Sequence, residues 1–112
     1  MRVVFICSLG CRVRPDKELE FLGSIERLME RTQRLRGCSV CRVVAELRDQ
    51  SRVTLVSEWS DREALDRYFG SDEYRILRGM HILLEDEQPI TVDEVVARAQ
   101  LPPDWTSTGP VM

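Results

Sequence analysis

The sequence predicts an α+β protein with the ferredoxin-like element order β-α-β-β-α-β, in which two helices cover one face of an antiparallel sheet. Three observations predict this fold. An apolar, β-branched segment opens the chain, two alternating segments flank a short polar turn, and two amphipathic segments with helical spacing separate the strands. The 112 residues are 43% hydrophobic and 31% charged, which fits one globular domain.

The first strand and the first helix are predicted from residue type and spacing. Residues 3–13 form a buried strand because they are mostly apolar and β-branched. Pro15 and Asp16 then open a helix of roughly five turns, which Gly37 ends. The inward face of this helix is expected to consist of residues that recur at steps of three and four, which are Leu19, Leu22, Ile25, Leu28, Met29, Thr32 and Leu35.

The middle of the chain predicts a β-hairpin. Residues 38–48 and 52–59 alternate between apolar and polar side chains, which is the pattern of half-buried strands. The polar turn at residues 49–51 is short enough to join them as antiparallel neighbours. In this fold class the expected strand order is 4-1-3-2, so the third strand lies between the first and the second.

The second half of the chain predicts a broken helix and a last strand. Ser60 and Glu63 form a capping box, in which each side chain accepts a hydrogen bond from the backbone amide of the other residue. Gly70 breaks the helix that follows, and residues 71–73 begin a second helical piece that extends to about residue 83. Residues 85–89 are expected to form a polar loop and residues 90–96 the last strand.

We expect residues 1–97 to form the domain and residues 98–112 to form a polar, proline-bearing tail that contains Trp105. Two helices on one sheet face leave the other face open, so a homodimer joined face to face is predicted.

Charge and cysteine content limit the partners and the compartment. The net charge is −3, and the 16 Lys and Arg residues are interspersed with 19 Asp and Glu residues. No basic stripe or long apolar run is present, so neither nucleic acid nor a membrane is expected as a partner. The first eleven residues are too short and too weakly charged for an export signal. Four cysteines without such a signal favour a cytoplasmic protein with free thiols.

The cysteines occur in two close pairs, within CSLGC and GCSVC. In the predicted strand order Cys7 and Cys41 are about 10 Å apart, too far for a disulfide or a shared zinc ion. Cys38 and Cys41 point to opposite faces if both lie in a regular strand. Structural thiols are therefore favoured. The alternative, a redox or zinc protein, requires that Cys7, Cys11, Cys38 and Cys41 converge.

Three segments, RGCSVCRVV, LVSEWSDREALDRYFGSDEYRIL and ITVDEV after a proline, resemble the antibiotic biosynthesis monooxygenase (ABM) family of the dimeric α+β barrel superfamily. The resemblance spans residues 1 to about 97. The matching features are Gly37-Cys38, Glu58-Trp59, Ser60, Glu63-Ala64-Leu65, Ser71 to Tyr74, and Pro89. It implies a dimeric ferredoxin-like fold. For enzymatic members it implies oxidation of a small phenolic or quinol-like substrate by O₂ with no cofactor, the deprotonated substrate supplying the electrons.

The resemblance also implies where a site would lie. Trp59 matches the family tryptophan that lines a substrate pocket. The sequence departs from the family at three polar positions: Leu55 stands where some members have Asn, and Tyr68 and Glu73 stand where others have His. Haem-degrading relatives carry a histidine ligand in the stretch that matches residues 74–78, which has none here, so haem is not expected.

The residues that remain suggest replacements for the missing polar groups. The catalytic candidates are His81, the one histidine of the chain, whose ordinary pKa lies near neutrality, and Tyr68. The expected substrate-binding residues are Trp59, Leu55, Tyr74, Phe69 and Arg78. Each has a plainer alternative, which is aromatic packing, a structural histidine or a solvated arginine.

Two functions are therefore predicted as competitors. A cofactor-independent ABM-type monooxygenase requires a closed pocket at Trp59 with a titratable group, His81 or a tyrosine, facing into it. A non-catalytic dimeric domain that binds a small apolar or aromatic molecule, or that stabilises a partner, requires a filled or purely apolar pocket.

Overall fold

The computed structural model describes residues 3–96, which form an antiparallel sheet with helices packed on one face. Along the chain the elements are β1 (Val4–Val13), α1 (Glu18–Gln33), β2 (Cys38–Ala45), β3 (Arg52–Trp59), α2 (Arg62–Phe69), α3 (Asp72–Gly79), β4 (Leu84–Glu87) and β5 (Thr91–Val95). Short 3₁₀ turns precede α1 and β4, at Pro15–Lys17 and Met80–Leu83. The predicted tail and Trp105 lie outside the described residues.

The sheet has the order β2-β3-β1-β4, and β5 also pairs with β1. The predicted order is thereby confirmed, because β3 separates β1 from β2. The outer edge of β1 is shared between two short strands. β5 pairs with residues Val4 to Ser8, and β4 pairs with residues Cys11 to Val13.

The polar loop predicted at residues 85–89 is wrong over most of its length, because β4 occupies it. Glu87 lies opposite Cys11, and the next residue, Gln88, donates its backbone N–H to Gly10 O at 2.8 Å. An edge strand tolerates charged side chains, since one of its sides faces solvent. Polar composition alone therefore did not distinguish this strand from a loop.

The helices pack on the sheet face that carries Phe5, Cys7, Trp59 and Val53. Two clusters of buried side chains form the core. The first, towards the β2–β3 turn, comprises Cys11, Val13, Phe21, Ile25, Leu28, Val53, Met80 and Leu83. The second, at the other end of the sheet, comprises Phe5, Cys7, Trp59, Ala64, Leu65 and Tyr68. Among the described helices, none is long and apolar enough to cross a membrane.

The inward face of α1 differs from the predicted one at its start. Phe21, Ile25, Leu28 and Thr32 are buried, whereas Leu19 is 87% exposed. Leu22 is also exposed. Phe21 sets the phase of the helix, because its larger apolar side chain takes the position that faces the sheet.

The start of α2 also differs from the prediction. Asp61, not Ser60, is the N-cap residue, and its carboxylate accepts the backbone N–H of Ala64 at 2.8 Å. The predicted capping box of Ser60 and Glu63 is therefore wrong by one residue. The predicted restart at Ser71 is confirmed, since its hydroxyl accepts the N–H of Tyr74 at 3.1 Å.

Gly37 connects α1 to β2 in a conformation that requires glycine. Its φ is +91°, a left-handed value that residues with a Cβ rarely adopt. A Cβ built on Gly37 would lie 2.3 Å from the Cβ of Ala64 in α2. Gly37 O also accepts the N–H of Ser60 at 2.8 Å, which fixes the end of β3 beside the start of β2.

Candidate functional site

A cavity lies between the sheet and the helices, where the two core clusters meet. The sheet contributes Cys7, Leu9, Cys41, Leu55 and Ser57 to its lining. The helices and the segment before β5 contribute Ile25, Leu28, Met29, Thr32, Tyr68, Tyr74, Leu77 and Ile90. Most of these side chains are apolar, and the polar ones are hydroxyls and thiols. Val56 and one charged residue, Arg42, complete the lining.

The cavity is small in this conformation. Its volume is about 30 Å³, which suffices for one or two water molecules. A benzene ring requires a cavity of about 150 Å³. Several lining side chains are only half-buried, among them Met29, Leu77 and Ile90, and these form its more accessible side. An aromatic ligand therefore needs these side chains to move outward, which an unbranched methionine does readily.

Tyr68 is the principal polar group beside the cavity. It is buried, its ring lies edge-on to that of Tyr74 with centroids 5.4 Å apart, and both tyrosines line the cavity. Burial raises the pKa of Tyr68 far above its ordinary value, and the neighbouring Cys7 thiol adds to this effect. The phenol is thus neutral at physiological pH and can donate a hydrogen bond.

Trp59 stands behind Tyr68 and is not one of the lining residues. Its side chain is fully buried, and its ring stacks on that of Tyr68 with centroids 4.6 Å apart. The indole Nε1 donates a hydrogen bond to Ser57 Oγ at 2.9 Å. Phe69 packs beside Tyr68 and Tyr74, also outside the lining. Of the predicted binding residues, the structure thus brings Leu55 and Tyr74 to the cavity together with Tyr68.

His81 and Arg78 lie elsewhere. His81 is exposed in the 3₁₀ turn after α3, and its Nδ1 is 2.9 Å from Arg78 O. The Arg78 guanidinium pairs with Glu87 of β4. Neither residue lines the cavity. The short turn that ends α3 directs His81 to solvent.

All four cysteines lie on the helix-facing side of the sheet. Ser57 lies opposite Cys7 on one neighbouring strand and opposite Cys41 on the other. Cys38 lies opposite Trp59, two residues further along the same face. The expectation that Cys38 and Cys41 point to opposite faces is therefore wrong, because a bulge between Cys38 and Val40 adds one residue to β2.

The thiols do not form a metal or disulfide site. All four cysteines are free, and β3 separates Cys7 from Cys41. Within residues 3–96 no three His, Cys, Asp or Glu side chains are placed to share a metal ion. Burial raises the pKa of Cys41 to about 11, and the nearby Cys38 thiol adds to the shift. Cys41 is therefore a neutral thiol, which argues against a redox role.

The sequence analysis did not identify Ser57 or Thr32 as candidate site residues, although both line the cavity. Both are buried polar residues on faces that are otherwise apolar. The sequence signal was a hydroxyl residue at an inward position, of the strand alternation for Ser57 and of the helical spacing for Thr32. Such a residue is either hydrogen-bonded in the core or lines a cavity.

An ion pair joins the two helices beside the cavity. Arg31 of α1 donates to the Glu73 carboxylate of α3 at 3.0 Å, and the Glu73 side chain is only 14% exposed. Thr32 and Tyr74, the residues that follow these two, both line the cavity. The pair therefore connects the two helices beside residues of the cavity lining.

A family model described as antibiotic biosynthesis monooxygenase matches residues 6–78, more than half of the chain. The chain belongs to the ABM family. The family predicted from the sequence is thereby confirmed. The match covers most of β1 and of α3 and all of α1, the β2–β3 hairpin and α2, which supply most of the cavity lining.

Solved structures share the fold of this ABM protein. A conserved protein from Methanosarcina mazei Go1 is 25% identical, with a TM-score of 0.70 over 85% of this chain and 92% of that one. A crystal structure of an antibiotic biosynthesis monooxygenase is 20% identical, with a TM-score of 0.69 over 85% and 99% of the two chains. Rv0793 from Mycobacterium tuberculosis is 18% identical, with a TM-score of 0.70 over 88% and 99%. These similarities confirm the α+β fold. A comparison with proteins of curated function gave no significant match.

Proposed function

We propose that this protein is a cofactor-independent ABM-type monooxygenase that oxidises a small phenolic or quinol-like substrate with O₂. Family membership supports an ABM-type function. The observation that carries the proposal is the largely apolar cavity lined by Tyr68, whose buried phenol is neutral and can donate a hydrogen bond. The proposal includes a homodimer formed through the sheet face opposite the helices. It also includes a cytoplasmic location, where the four free thiols stay reduced.

The proposed reaction requires little of the protein beyond binding and orientation. A phenol with a free para carbon reacts with O₂ to give a para-quinone and water. The substrate loses its hydroxyl proton and the para hydrogen, one oxygen atom enters the ring carbon, and the other leaves as water. The substrate supplies all four electrons. An apolar cavity favours this reaction because it excludes water and aligns the ring with O₂.

Tyr68 acts in this proposal as a hydrogen-bond donor to the substrate oxygen. The raised pKa of Tyr68 prevents it from acting as a base near neutral pH. Cys41, with its pKa raised to about 11, likewise keeps its proton. The substrate therefore ionises in solution or loses its proton to water. The Tyr68 hydroxyl then stabilises the negative charge on the bound oxygen.

The experiment that tests the proposal measures O₂ uptake with a panel of small phenols and quinols under ¹⁸O₂. We expect a product that carries one ¹⁸O atom, with the second ¹⁸O atom in water. Met29→Trp fills the accessible side of the cavity and should abolish uptake. Leu19→Trp places the same side chain at an exposed position of the same helix and should leave uptake intact. Hydrogen peroxide with an unlabelled product would refute the monooxygenase proposal.

A second candidate function is binding of a small apolar molecule without catalysis. The observation that favours it is the cavity itself, which is small and in which the Tyr68 phenol and the Cys41 thiol keep their protons because burial raises their pKa values. Absence of O₂ uptake with every substrate, combined with saturable binding that Met29→Trp abolishes, would establish this function in place of the first.

A further inference from the structure

A second concave surface lies on the other side of the Trp59–Tyr68 stack. Its lining residues come from the turn after α1, the end of β3, and α2 with the residue that caps α3. They are Leu35, Arg36, Trp59, Ala64, Arg67, Tyr68 and Ser71. We name this surface the outer groove. Its volume is about 370 Å³, which is in the range of small-molecule sites and far larger than that of the cavity.

The base of the outer groove is apolar and its sides are cationic. Leu35 is half-buried and offers apolar surface, with Ala64 and the aromatic stack beneath it. The Ser71 hydroxyl is already occupied, since it donates to Tyr68 O at 2.6 Å and accepts the N–H of Tyr74. The polar groups available to a ligand are therefore the guanidinium groups of Arg36 and Arg67.

The two arginines converge although they belong to different segments of the chain. Both are exposed, and within residues 3–96 neither forms an ion pair with a carboxylate. The pKa of Asp61 is lowered first by its hydrogen bond from the Ala64 N–H, and then by Ser60, Arg67 and Arg36. Both guanidiniums thus act electrostatically on one carboxylate, that of Asp61, which already caps α2. The two arginines and the single Asp61 carboxylate together carry a net positive charge.

The positive charge is specific to the outer groove, because a second groove of similar size has acidic residues in its lining. This second groove lies between α1 and the β2–β3 hairpin and has a volume of about 380 Å³. The charged residues that line it are Glu18 and Glu26. Of these two grooves, only the outer groove combines an apolar surface with arginine side chains.

We propose that the outer groove binds a small aromatic carboxylate. The ring lies on Leu35 and the edge of Tyr68, and the carboxylate lies between Arg36 and Arg67. Arginine suits this ligand because its planar guanidinium matches a carboxylate and also stacks on aromatic rings. The site is independent of the oxygenase proposal, although Tyr68 lines both the groove and the cavity. A ligand in the outer groove therefore contacts Tyr68, which also forms part of the cavity wall.

The test uses 1-naphthoate and its uncharged analogue 1-naphthamide with the ¹⁵N-labelled full-length chain. We expect 1-naphthoate to shift the amide signals of Leu35 and Ala64 and the Trp59 indole signal in a saturable manner. The naphthamide should bind at least tenfold more weakly. Arg36→Gln combined with Arg67→Gln should weaken naphthoate binding at least tenfold. The control, Arg34→Gln with Arg62→Gln, removes the same charge from residues outside the groove and should retain binding.

Three results would overturn the proposal. One is the absence of saturable shifts at Leu35, Ala64 and Trp59. Another is equal affinity for the acid and the amide, which needs no variant and so does not depend on variant folding. The third is a set of shifts centred on cavity residues such as Leu55 and Leu77, which would assign the ligand to the cavity.

Discussion

The rings of Trp59 and Tyr68 are stacked, with centroids 4.6 Å apart and planes inclined by 25°. Trp59 is fully buried, so it influences the cavity only through this stack and through its hydrogen bond to Ser57. Both of these partners line the cavity. The tryptophan that the family resemblance assigned to a pocket wall is therefore a support for the residues that form the wall.

This arrangement predicts a strong energetic coupling between Ser57 and Trp59. Ser57→Ala leaves the buried indole N–H without its acceptor and should lower the free energy of unfolding by about 1–3 kcal/mol. In a Trp59→Phe background the same change should cost less than about 1 kcal/mol, because no indole donor remains. Urea unfolding of the four proteins measures the coupling. Equal costs in both backgrounds would mean that the hydrogen bond contributes nothing to stability.

A second prediction tests whether Tyr68 or His81 is the group that acts on a bound substrate. Tyr68→Phe removes the hydroxyl, keeps the stack, and should lower kcat/KM for phenol oxidation by about 100-fold. His81→Gln changes an exposed side chain outside the cavity and should leave kcat/KM unchanged.

The pH dependence of kcat/KM provides an independent test of whether Tyr68 or His81 acts on the substrate. Because Tyr68 and Cys41 keep their protons near neutrality, kcat/KM should rise with pH until the hydroxyl of the substrate is ionised. A pH dependence of kcat/KM that disappears in His81→Gln would instead identify the histidine as the base.

A third prediction concerns the backbone at Gly37. Gly37→Ala places a methyl group 2.3 Å from the Cβ of Ala64 and forces a residue with a Cβ into a left-handed conformation. The conformation alone costs about 1–2 kcal/mol, and the steric clash adds to this. Gly23→Ala is the control, since it lies within α1, where the nearest atom is a flexible arginine nitrogen at 3.9 Å. It should stabilise the protein by about 0.5–1 kcal/mol. Thermal unfolding of both variants decides the matter, and a stable Gly37→Ala would contradict the contact between α2 and this turn.

A fourth prediction distinguishes Asp61 from Ser60 as the cap of α2. Asp61→Ala removes the acceptor of the Ala64 N–H and should lower the thermal midpoint by about 4 °C at pH 7. Ser60→Ala removes a hydroxyl that accepts no helix amide and should have a smaller effect. The reverse order would restore the capping box that the sequence suggested.

The difference due to Asp61 should depend on pH in a defined direction. Its pKa is lowered in the folded protein, chiefly by the hydrogen bond from Ala64. The ionised carboxylate therefore stabilises the folded state fully above the pKa of the unfolded chain. This stabilisation is lost as the pH falls through the lowered folded pKa. The gap in midpoint between wild type and Asp61→Ala should accordingly narrow under acidic conditions.

The sequence by itself indicated the family, through its resemblance to ABM motifs such as Gly37-Cys38 and Glu58-Trp59, and it indicated the order of the main elements. The element order follows from periodicity, which reports on residues within a few positions of one another. It also named Leu55, Tyr68 and Tyr74 as candidate site residues, and all three line the cavity.

Only the tertiary structure decided the features that depend on contacts between distant segments. The bulge that brings Cys38 and Cys41 to one face, and the pairing of β4 with β1, depend on the register of neighbouring strands. The position of Trp59 behind Tyr68 depends on how α2 packs on β3. The meeting of Arg36 and Arg67 depends on where α1 and α2 end relative to each other. Such contacts leave no periodic signal, because the residues that make them are close in space and far apart in the chain.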